Sequence, residues 1–555
     1  MSEYVRTPVS PSGLKPGRYF AAGFAGEHIA GTEFVIGAMF VAWGVGAMDV
    51  IKGLALGNLL AVLTWVLICT PIATNTRLTL YAYMEKIAGP GFMKIYSLIN
   101  GALFCILAGA MITVSASAVR ILFDIPPQVE WYPSDTGFIL VVMCVGAVVT
   151  FAAAKGFTFV ARFAEVSAPW LVCMFLVGAL VIMPVLIEAT PAVTGIKTFG
   201  DFILLAETSI WIDQQSGMNF WHVVAIAWGA NLAFHGALGD MSMLRFARKT
   251  WYGWYSALGM FIGHFAAWLA AGVMGAGAAV LLSTSLTSLD AGAVAFQALG
   301  PVGILAVIIA GWTTSNPTIY RAGLAFQSVF PGLSRTKVTI AVGVVTTVIA
   351  GFPFVFTGLL NFLGIMALVM APTGGIIVAE HYLLRRLGGI RYWRAVRGSL
   401  INIPAVATWL LALLAAAFLH FAAAIHILFL FLPAWFVALI IYPLLALALG
   451  AGSVDRSQAA AMEEAEVRRR RDEKAWLDAG SVSVSRPGVG WHHIGLALSA
   501  TCLIVLLATG LYGYISGEDT TAKNVLLVPT IVYFFISILI VILGAPDKDD
   551  VADHE

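Results

Sequence analysis

The chain has 555 residues, of which 60% are hydrophobic and 11% charged, and its formal net charge is +1. Soluble domains are about 45–50% apolar and about 25% charged, so this composition excludes an ordinary soluble protein and indicates a polytopic membrane protein. The mean hydropathy of +0.90 agrees with that class. A charge so close to zero gives no reason to expect nucleic acid as a partner. The five cysteines lie in apolar segments without Cys-x-x-Cys spacing, so neither a thiolate metal site nor disulfides are expected.

Many apolar runs in the chain are long enough to cross a bilayer, for which about 20 helical residues suffice. We therefore predict an all-α polytopic membrane protein with about fourteen helices, numbered α1 to α14 in chain order, and almost no β-structure. The predicted spans are 27–47, 52–72, 96–121, 136–154, 164–187, 221–240, 252–282, 300–320, 337–353, 356–384, 401–421, 425–449, 491–514 and 524–544.

The basic residues predict the orientation of these helices. With the N-terminus inside, nearly all of the 31 Lys and Arg residues fall on the cytoplasmic side, as the positive-inside rule requires. One of the inside loops is expected to contain Arg321, Arg335 and Lys337. The basic residues left outside are Lys52, Arg120, Lys197 and Lys523. An even number of helices places both termini in the cytoplasm, and the protein in the plasma (inner) membrane.

The first apolar segment, Gly23–Met48, is too polar for a helix surrounded by lipid. Its first half carries Glu27, His28, Thr32 and Glu33 among glycines. Ionisable groups at membrane depth are costly and persist where they face protein, water or a ligand. Glycines also weaken the helix, so its carbonyls are free to turn toward a cation. We interpret α1 as a broken helix that lines a solute site; the alternative is that Glu27 and His28 only cap the helix at the interface.

A second polar helix follows five helices later, at Trp221–Leu244. It contains the glycines Gly229, Gly236 and Gly239 and the polar residues Asn231, His235 and Asp240. Transporters built from inverted repeats interrupt the first helix of each half, so polar, glycine-rich helices at positions 1 and 6 favour a five-plus-five fold. His235 would then face the ligand, or it would serve the commoner structural role of a buried histidine bonded to a carbonyl.

The eighth helix supplies oxygen atoms suited to sodium. Thr313 and Thr314 carry adjacent hydroxyl groups, and the carbonyl of Ala310 lies one turn earlier. Sodium takes several uncharged oxygen ligands, which hydroxyls and carbonyls of an opened helix provide. Alternatively, these hydroxyls bond back to carbonyls of their own helix. Ser315 and Asn316 come next and are polar candidates for the solute site.

One segment departs from the membrane pattern. Residues 453–487 are rich in Ala, Glu and Arg, which predicts a solvated cytoplasmic helix between α12 and α13. A protein partner, or anionic lipid bound through Arg468–Arg471, is the alternative. The predicted organisation is a cytoplasmic tail (1–22), a ten-helix core (23–390), α11 and α12 (398–450), a charged linker (451–490), α13 and α14 (491–545) and an acidic cytoplasmic tail (546–555).

Five stretches of the chain resemble the nucleobase–cation symporters, the cytosine and hydantoin permease group, which have the LeuT-type fold. They are Leu56–Leu60 (LGNLL), Pro71–Gly91 (PIATNTRLTLYAYMEKIAGPG), Leu244–Lys249 (LRFARK), Gly311–Phe326 (GWTTSNPTIYRAGLAF) and Ala371–Arg386 (APTGGIIVAEHYLLRR). Pro71–Gly91 is similar to that family's loop into its third helix. The resemblance covers about residues 1–390, and α11 to α14 lie beyond it.

The resemblance implies a sodium site between α1 and α8 and an aromatic sandwich around a flat heterocycle. The implied sodium ligands are the carbonyls of His28, Gly31 and Ala310 and the hydroxyls of Thr313 and Thr314. The implied solute contacts are Thr32, Glu33, Phe104, Cys105, Asn231, Phe234, His235, Ser315 and Asn316. Phe104 and Cys105 are the nearest substitutes for the tryptophan of the family's third helix, and Phe234 supplies the second ring.

Two departures from the family affect the solute. Ser242 stands where the family has an aspartate, with Asp240 two residues earlier, and Glu33 stands where a small or neutral residue is expected. A neutral nucleobase needs no carboxylate. These differences leave the solute open between a nucleobase-like heterocycle and an amine.

The residues therefore predict a sodium-coupled symporter that imports a small nitrogenous solute by alternating access, with no organic cofactor. One alternative is proton coupling through Glu33 and His235; another is a membrane receptor that signals through the 451–490 segment. An enzyme is not expected, since the sequence shows neither a nucleophile motif nor a metal-binding cluster. The expected partners are the solute and membrane lipid, with a protein partner of 451–490 left open.

Overall fold

The computed structural model describes residues 6–128, 130–353, 358–479 and 489–543. These residues are almost entirely helical, and the one β-bridge recorded among them joins Lys15 to Ala247. The acidic segment 546–555 and the C-terminal part of the charged linker, 480–488, lie outside the described residues. The structure therefore has the all-α architecture that the composition predicts.

Within the described ranges, 11 helices are long and apolar enough to cross a membrane. They are α2 (Ala47–Thr76), α3 (Leu80–Phe123), α4 (Thr136–Ala154), α5 (Phe157–Glu188), α7 (Thr250–Leu282), α8 (Pro301–Val329), α10 (Leu359–Leu383), α11 (Ile403–Phe421), α12 (Ile427–Ala448), α13 (His493–Ser516) and α14 (Asp519–Ile542). The remaining segments of the predicted fourteen are α9 and the interrupted helices α1 and α6. The halves of α1 are α1a (Gly17–Glu27) and α1b (Glu33–Ala42), the pieces of α6 are Phe220–Gly229, Leu232–His235 and Met241–Leu244, and α9 is Arg335–Ala350.

Four further α-helices among the described residues lie outside the membrane-spanning set. Three are short: Phe199–Leu205 before α6, Ala291–Leu299 between α7 and α8, and Trp393–Arg397 between α10 and α11. The fourth, Arg456–Asp478, is called here the linker helix because it lies in the predicted charged linker between α12 and α13.

The start of α3 differs from the sequence-based prediction. The segment expected to be a loop, Pro71–Gly91, contains the end of α2 and the first turns of α3, which begins at Leu80. The helix bends at Gly89, whose φ of 92° is left-handed, and Pro90 follows directly. Proline removes a backbone donor and glycine tolerates positive φ, so α3 consists of two helical segments that meet at a kink at Gly89. The predicted start at residue 96 was therefore wrong, because Glu85, Lys86 and the Gly-Pro-Gly sequence at 89–91 interrupt the apolar pattern of these early turns.

Helix α8 is the centre of the bundle. In its most apolar window 83% of residues are buried, against 17% for α13 and 22% for α14. It packs along α3, where Ser115 donates a hydrogen bond to the carbonyl of Ile308 over 3.3 Å. A side chain at Gly311 would overlap Ser115, so glycine is needed for this close approach. The polar segment of α8 is thereby held in the interior.

Helices α13 and α14 attach to the outer side of α5. The indole of Trp170 donates to the Thr530 hydroxyl over 3.1 Å, and the Tyr533 hydroxyl donates to the Val166 carbonyl over 2.8 Å. Gly510 of α13 lies against Val177. No described residue of α13 or α14 lines the internal cavity described below.

We expect removal of residues 489–555 to lower the yield and thermal stability of the purified protein while leaving its solute selectivity unchanged. The reason is that α13 and α14 cover α5 and lie away from the cavity. Thermal unfolding in detergent and ligand-binding profiles measure the two effects. Trp170→Phe, which loses only the indole donor, should cost about 1 kcal/mol. A truncated protein with normal stability and altered selectivity would contradict this assignment.

Candidate functional site

The breaks in α1 and α6 open onto one internal cavity. Residues 28–32 separate α1a from α1b, and the break in α6 includes Ala230 and Asn231. The cavity volume is about 40 Å³, room for roughly three water molecules. It is lined by Glu27, Ala30, Thr32, Glu33, Ile36, Leu107, Met111, Ala230, Asn231, Phe234, His264, Trp268, Thr314, Leu359 and Leu363. This is a closed form, in which the broken helices, α3, α7, α8 and α10 surround a nearly filled space.

Three polar side chains form one wall of the cavity. His264 Nε2 lies 3.5 Å from Glu33 Oε1, and the Asn231 amide nitrogen lies 3.2 Å from His264 Nδ1. All three side chains are buried, and Glu33 Oε2 has no hydrogen-bond partner among the described residues. An unsatisfied carboxylate oxygen in a dry site is costly, so its presence beside a cavity points to a polar ligand group.

His264 did not emerge from the sequence as a site residue. It lies on α7, in a π-helical stretch from Leu258 to Ala267, and its ring stacks on Trp268 with 4.3 Å between centroids. Helix widening of this kind is frequent at functional sites. The available signal was a lone histidine within an otherwise apolar segment, which is weak because such residues usually have structural roles.

A buried cluster of three charges lies next to the cavity. Arg321 donates from Nη1 to Glu27 Oε1 over 2.5 Å, and from Nη2 to Glu27 Oε2 over 2.9 Å and Asp240 Oδ1 over 2.6 Å. The second oxygen of Asp240 accepts from the Trp65 indole over 2.7 Å, and the guanidinium lies 4.4 Å from the Phe234 ring centre. Each charged side chain is at most 5% exposed. The cluster joins α1a, α6 and α8.

This cluster corrects two expectations. Arg321 was assigned to a cytoplasmic loop, but it lies within α8 and is 1% exposed. Glu27 was given the alternative role of an interfacial helix cap, whereas its carboxylate pairs with Arg321. The prediction failed because counting basic residues treats every arginine as solvated, while a pair of carboxylates compensates this one in the interior.

Oxygen atoms suited to sodium meet between α1 and α8. The Thr314 hydroxyl donates to the Glu27 carbonyl over 2.9 Å and lies 3.4 Å from the Ala310 carbonyl, which also accepts from the Thr313 hydroxyl over 2.9 Å. A Cβ atom at Gly31 would lie 3.1 Å from the Gly311 nitrogen, so this glycine lets α1 approach α8. These neutral oxygens agree in type with a sodium site.

His28 is placed differently from its implied role. Its carbonyl lies against Gly263 of α7, and its ring nitrogen Nδ1 is 2.8 Å from the Phe24 carbonyl. The carbonyl that contacts α8 is therefore that of Glu27, one residue earlier than the register expected from the resemblance. A change of one residue turns a carbonyl by about 100° around a helix of 3.6 residues per turn, so a pattern match alone places it poorly.

Several implied solute contacts lie away from the cavity. Thr32, Glu33, Asn231 and Phe234 line it, whereas the other implied contacts are Phe104, Cys105, His235, Ser315 and Asn316. The Phe104 and Phe234 rings stack on each other with centroids 5.7 Å apart and planes inclined by 16°. A flat ring between them would need about 7 Å, twice a carbon contact distance. The expected sandwich is thus not present in this closed form, and Leu107 and Met111 represent α3 at the cavity.

Two of the remaining polar candidates are bonded within the protein, whereas the buried Asn316 Oδ1 has no hydrogen-bond partner among the described residues. His235 Nε2 lies 3.0 Å from the Trp228 carbonyl, and its ring meets the edge of Trp65 at 4.7 Å. The Ser315 hydroxyl donates to the Gly311 carbonyl over 2.7 Å. His235 therefore has the structural arrangement that was its alternative, and the structure separates it from Glu33.

No protein-family model and no curated protein matches the sequence. The structure is similar to that of Mhp1, a nucleobase-cation-symport-1 family transporter, solved in a closed conformation with bromovinylhydantoin bound. The TM-score is 0.64 at 17% identity, with 84% of this chain and 98% of that chain covered. The inward-facing conformation of Mhp1 matches with a TM-score of 0.62 at 16% identity, covering 84% and 96% of the two chains.

A Na⁺-coupled sialic acid symporter in a substrate-bound outward-open state is also similar. Its TM-score is 0.57 at 12% identity, with 80% of this chain and 92% of that chain covered. These likenesses confirm the predicted LeuT-type fold. The 11 apolar helices of membrane-spanning length agree with an integral membrane protein of this fold.

Proposed function

We propose that this protein is a sodium-coupled symporter that imports a small nitrogenous solute by alternating access. The observation that carries the proposal is the meeting of two interrupted helices and the α8 hydroxyls at one buried cavity. Interrupted helices leave backbone and side-chain polar groups without helical partners at the centre of a membrane protein. A bound solute and a bound ion would supply those partners.

The sodium site we propose uses the carbonyls of Glu27 and Ala310 and the hydroxyls of Thr313 and Thr314, with Gly31 allowing close approach. These atoms already lie within hydrogen-bond distance of one another and carry no net charge. A bound sodium ion would supply positive charge at the break in α1. The proposed sodium ligands hold α1 against α8. Binding or release of sodium would therefore shift α1, the helix that also carries Thr32 and Glu33.

For the solute, we propose a polar end at Glu33, Asn231 and His264 and an apolar body between Phe234 and Trp268. The unpaired Glu33 oxygen suits an N–H group, and a cationic amine or amidine satisfies its charge best. A nucleobase-like heterocycle with N–H donors is the neutral member of the same class. Because the present cavity is small, the solute must be admitted by movement of the surrounding helices.

The positive-inside pattern supports a topology with both termini in the cytoplasm. Burial of Arg321 removes one residue from the inside count, but most basic residues still lie in the expected inside segments. Uptake by proteoliposomes tests the proposal directly. An inward sodium gradient should accumulate a solute found by a binding screen of amines, nucleobases and hydantoins, while an equal potassium gradient should not. Binding without gradient-driven uptake would favour a receptor.

We expect sodium to raise the thermal stability of the purified protein and its solute affinity, whereas potassium should do neither. Ion and solute share α1, so their binding is coupled reciprocally. Thr314→Ala should raise the sodium concentration needed for half of the stabilising effect at least about tenfold. That factor corresponds to a loss of about 1.4 kcal/mol in sodium binding. Thermal shift at graded sodium concentrations measures it.

The matched control is Thr318→Ala on the same helix. The Thr318 hydroxyl is equally buried but donates to the Thr314 carbonyl of its own helix over 2.7 Å. It should leave the sodium dependence unchanged. Equal loss in both variants would argue against the proposed ion site.

Proton coupling is the second candidate. The structure favours Glu33 with His264 for that role, since their side chains are 3.5 Å apart while His235 is bonded to a carbonyl. Accumulation driven by a pH gradient in the absence of sodium distinguishes this candidate from sodium coupling.

A further inference from the structure

The linker helix, Arg456–Asp478, presents a stripe of acidic side chains to the rest of the protein. Glu463, Glu466 and Glu473 recur at spacings of three and seven residues, which place them on one helix face. Each forms an ion pair with a residue outside the helix. By contrast, Glu464 is 74% exposed at its side chain and pairs with Arg468 of the same helix. The helix thus docks by one face.

The central contact of this face is the pair between Glu473 and Arg77. Arg77 Nε lies 3.1 Å from both carboxylate oxygens, Nη2 lies 2.5 Å from Oε1, and the two residues are 2% and 8% exposed. Arg469 donates to Glu473 over 2.8 Å and also to the Asn75 carbonyl. A bidentate pair of this geometry, excluded from water, is far stronger than a surface ion pair.

Arg77 connects the linker helix to α6. It lies between α2 and α3 with a left-handed φ of 58°, and its Nη1 donates to the carbonyls of Arg245 over 2.9 Å and Ala247 over 2.6 Å. Its own carbonyl accepts from the Val9 amide over 3.0 Å, which fastens the segment before α1. One buried arginine therefore forms hydrogen bonds with the linker helix, the end of α6 and the segment before α1.

A second contact fastens the same helix to the connection between α10 and α11. Glu466 Oε2 accepts from Arg391 Nη1 over 3.3 Å and from the Tyr392 hydroxyl over 3.1 Å. Arg391 in turn donates to the Tyr83 hydroxyl of α3 over 3.1 Å. The outer pair of Arg385 with Glu463 is more exposed and contributes little.

The linker helix thus bridges two contacts on the same side of the protein. Arg77, in the turn between α2 and α3, is tied to the end of α6, whereas Arg391, in the α10–α11 connection, is tied to Tyr83 in the first turns of α3. Alternating access in such folds requires one group of helices to rock against the other. An opening that moved the end of α6 away from the start of α3 would stretch the bridge formed by the linker helix.

We propose that the surface formed by Arg77, Arg391 and Tyr392 is a binding site for the acidic stripe of the linker helix, and that the docked helix is a strap that holds this face of the transporter closed. When the strap is released, its carboxylates and their arginine partners are solvated by water. They no longer link the two contacts, and the face is free to open. The proposal depends on the fold and the docked helix, and it holds for any solute and either coupling ion.

The test uses the double variant Glu466→Gln/Glu473→Gln, which retains side-chain shape but removes both charges. Ser242→Cys serves as the reporter, because Ser242 is buried on α6 next to Arg245. The background carries Cys144→Ser, since Cys144 is exposed while the other cysteines are buried. The rate of modification by a polar maleimide is measured in purified full-length protein, and the background without the reporter gives the baseline. Glu464→Gln is the matched control.

We expect the double variant to react at least about tenfold faster at the reporter than the control, corresponding to about 1.4 kcal/mol. Trypsin should also cut faster among Arg468–Arg471, because the helix is undocked. Faster trypsin cleavage with an unchanged maleimide rate would overturn the gating role, and unchanged values of both would overturn docking through these ion pairs.

Addition of a separate peptide distinguishes undocking of the linker helix from misfolding of the double variant. A synthetic peptide of residues 456–478 should bind the double variant and slow the maleimide reaction toward the control rate, whereas the same peptide with glutamine at 466 and 473 should not. Failure of the native peptide to slow the reaction would overturn the proposal, since a folded inner surface with Arg77 available must accept it.

Discussion

Replacement of Arg321 by glutamine is expected to destabilise the protein by about 3–5 kcal/mol and to abolish transport, the usual cost of breaking a buried ion cluster from one side. Glu27 and Asp240 would face each other without a cation between them, both almost fully excluded from water. Their repulsion would push α1a and α6 apart, although both helices must close around the solute. Thermal unfolding in detergent and solute uptake measure the two losses.

A triple variant, Glu27→Gln/Asp240→Asn/Arg321→Gln, separates charge imbalance from packing. Neutral isosteres remove all three charges together, and buried ion groups replaced as a set often cost little stability. We expect the triple variant to regain most of the thermal stability lost by Arg321→Gln, but not full transport. Arg471→Gln, on the exposed face of the linker helix, is the control and should change neither property. If Arg321→Gln unfolds like the parent protein, the three charges contribute no net stability.

Replacement of Glu33 by glutamine is expected to weaken binding of a cationic solute at least about 100-fold, or about 2.7 kcal/mol. The carboxylate oxygen without a protein partner is the atom that we assign to the solute's N–H group. Glutamine preserves the size of the side chain but leaves the solute's charge unpaired in a dry site. Calorimetric or thermal-shift titration with the solute measures the loss, and sodium should still stabilise the variant.

The same variant distinguishes a counter-charge for the solute from a carrier of the coupling proton. If Glu33 carries the proton, solute exchange by Glu33→Gln should persist, while accumulation driven by a pH gradient should be lost. Glu188→Gln, at the exposed end of α5, is the matched control and should bind solute normally. If Glu33→Gln binds and accumulates solute like the parent protein, Glu33 is neither a counter-charge nor a proton carrier.

The sequence by itself determined the membrane class, the order of the helices and the two polar helices at positions 1 and 6. These features are local, because hydropathy over about 20 residues decides whether a segment spans the bilayer, and glycines beside polar residues weaken a helix where they stand. The hydroxyls of Thr313 and Thr314 were visible for the same reason. The resemblance of short motifs then led to the fold that the solved structures confirm.

Only the tertiary structure decided which of these polar groups meet. Arg321 and Glu27 are 294 positions apart in the chain, so no local pattern shows that one neutralises the other. His264 lies beside Glu33 because α7 packs against α1b, and one face of the linker helix docks on the protein because Glu473 pairs with the buried Arg77. Partner choice depends on packing between distant segments and on the cost of leaving a buried charge alone, and both are settled only when the helices are assembled.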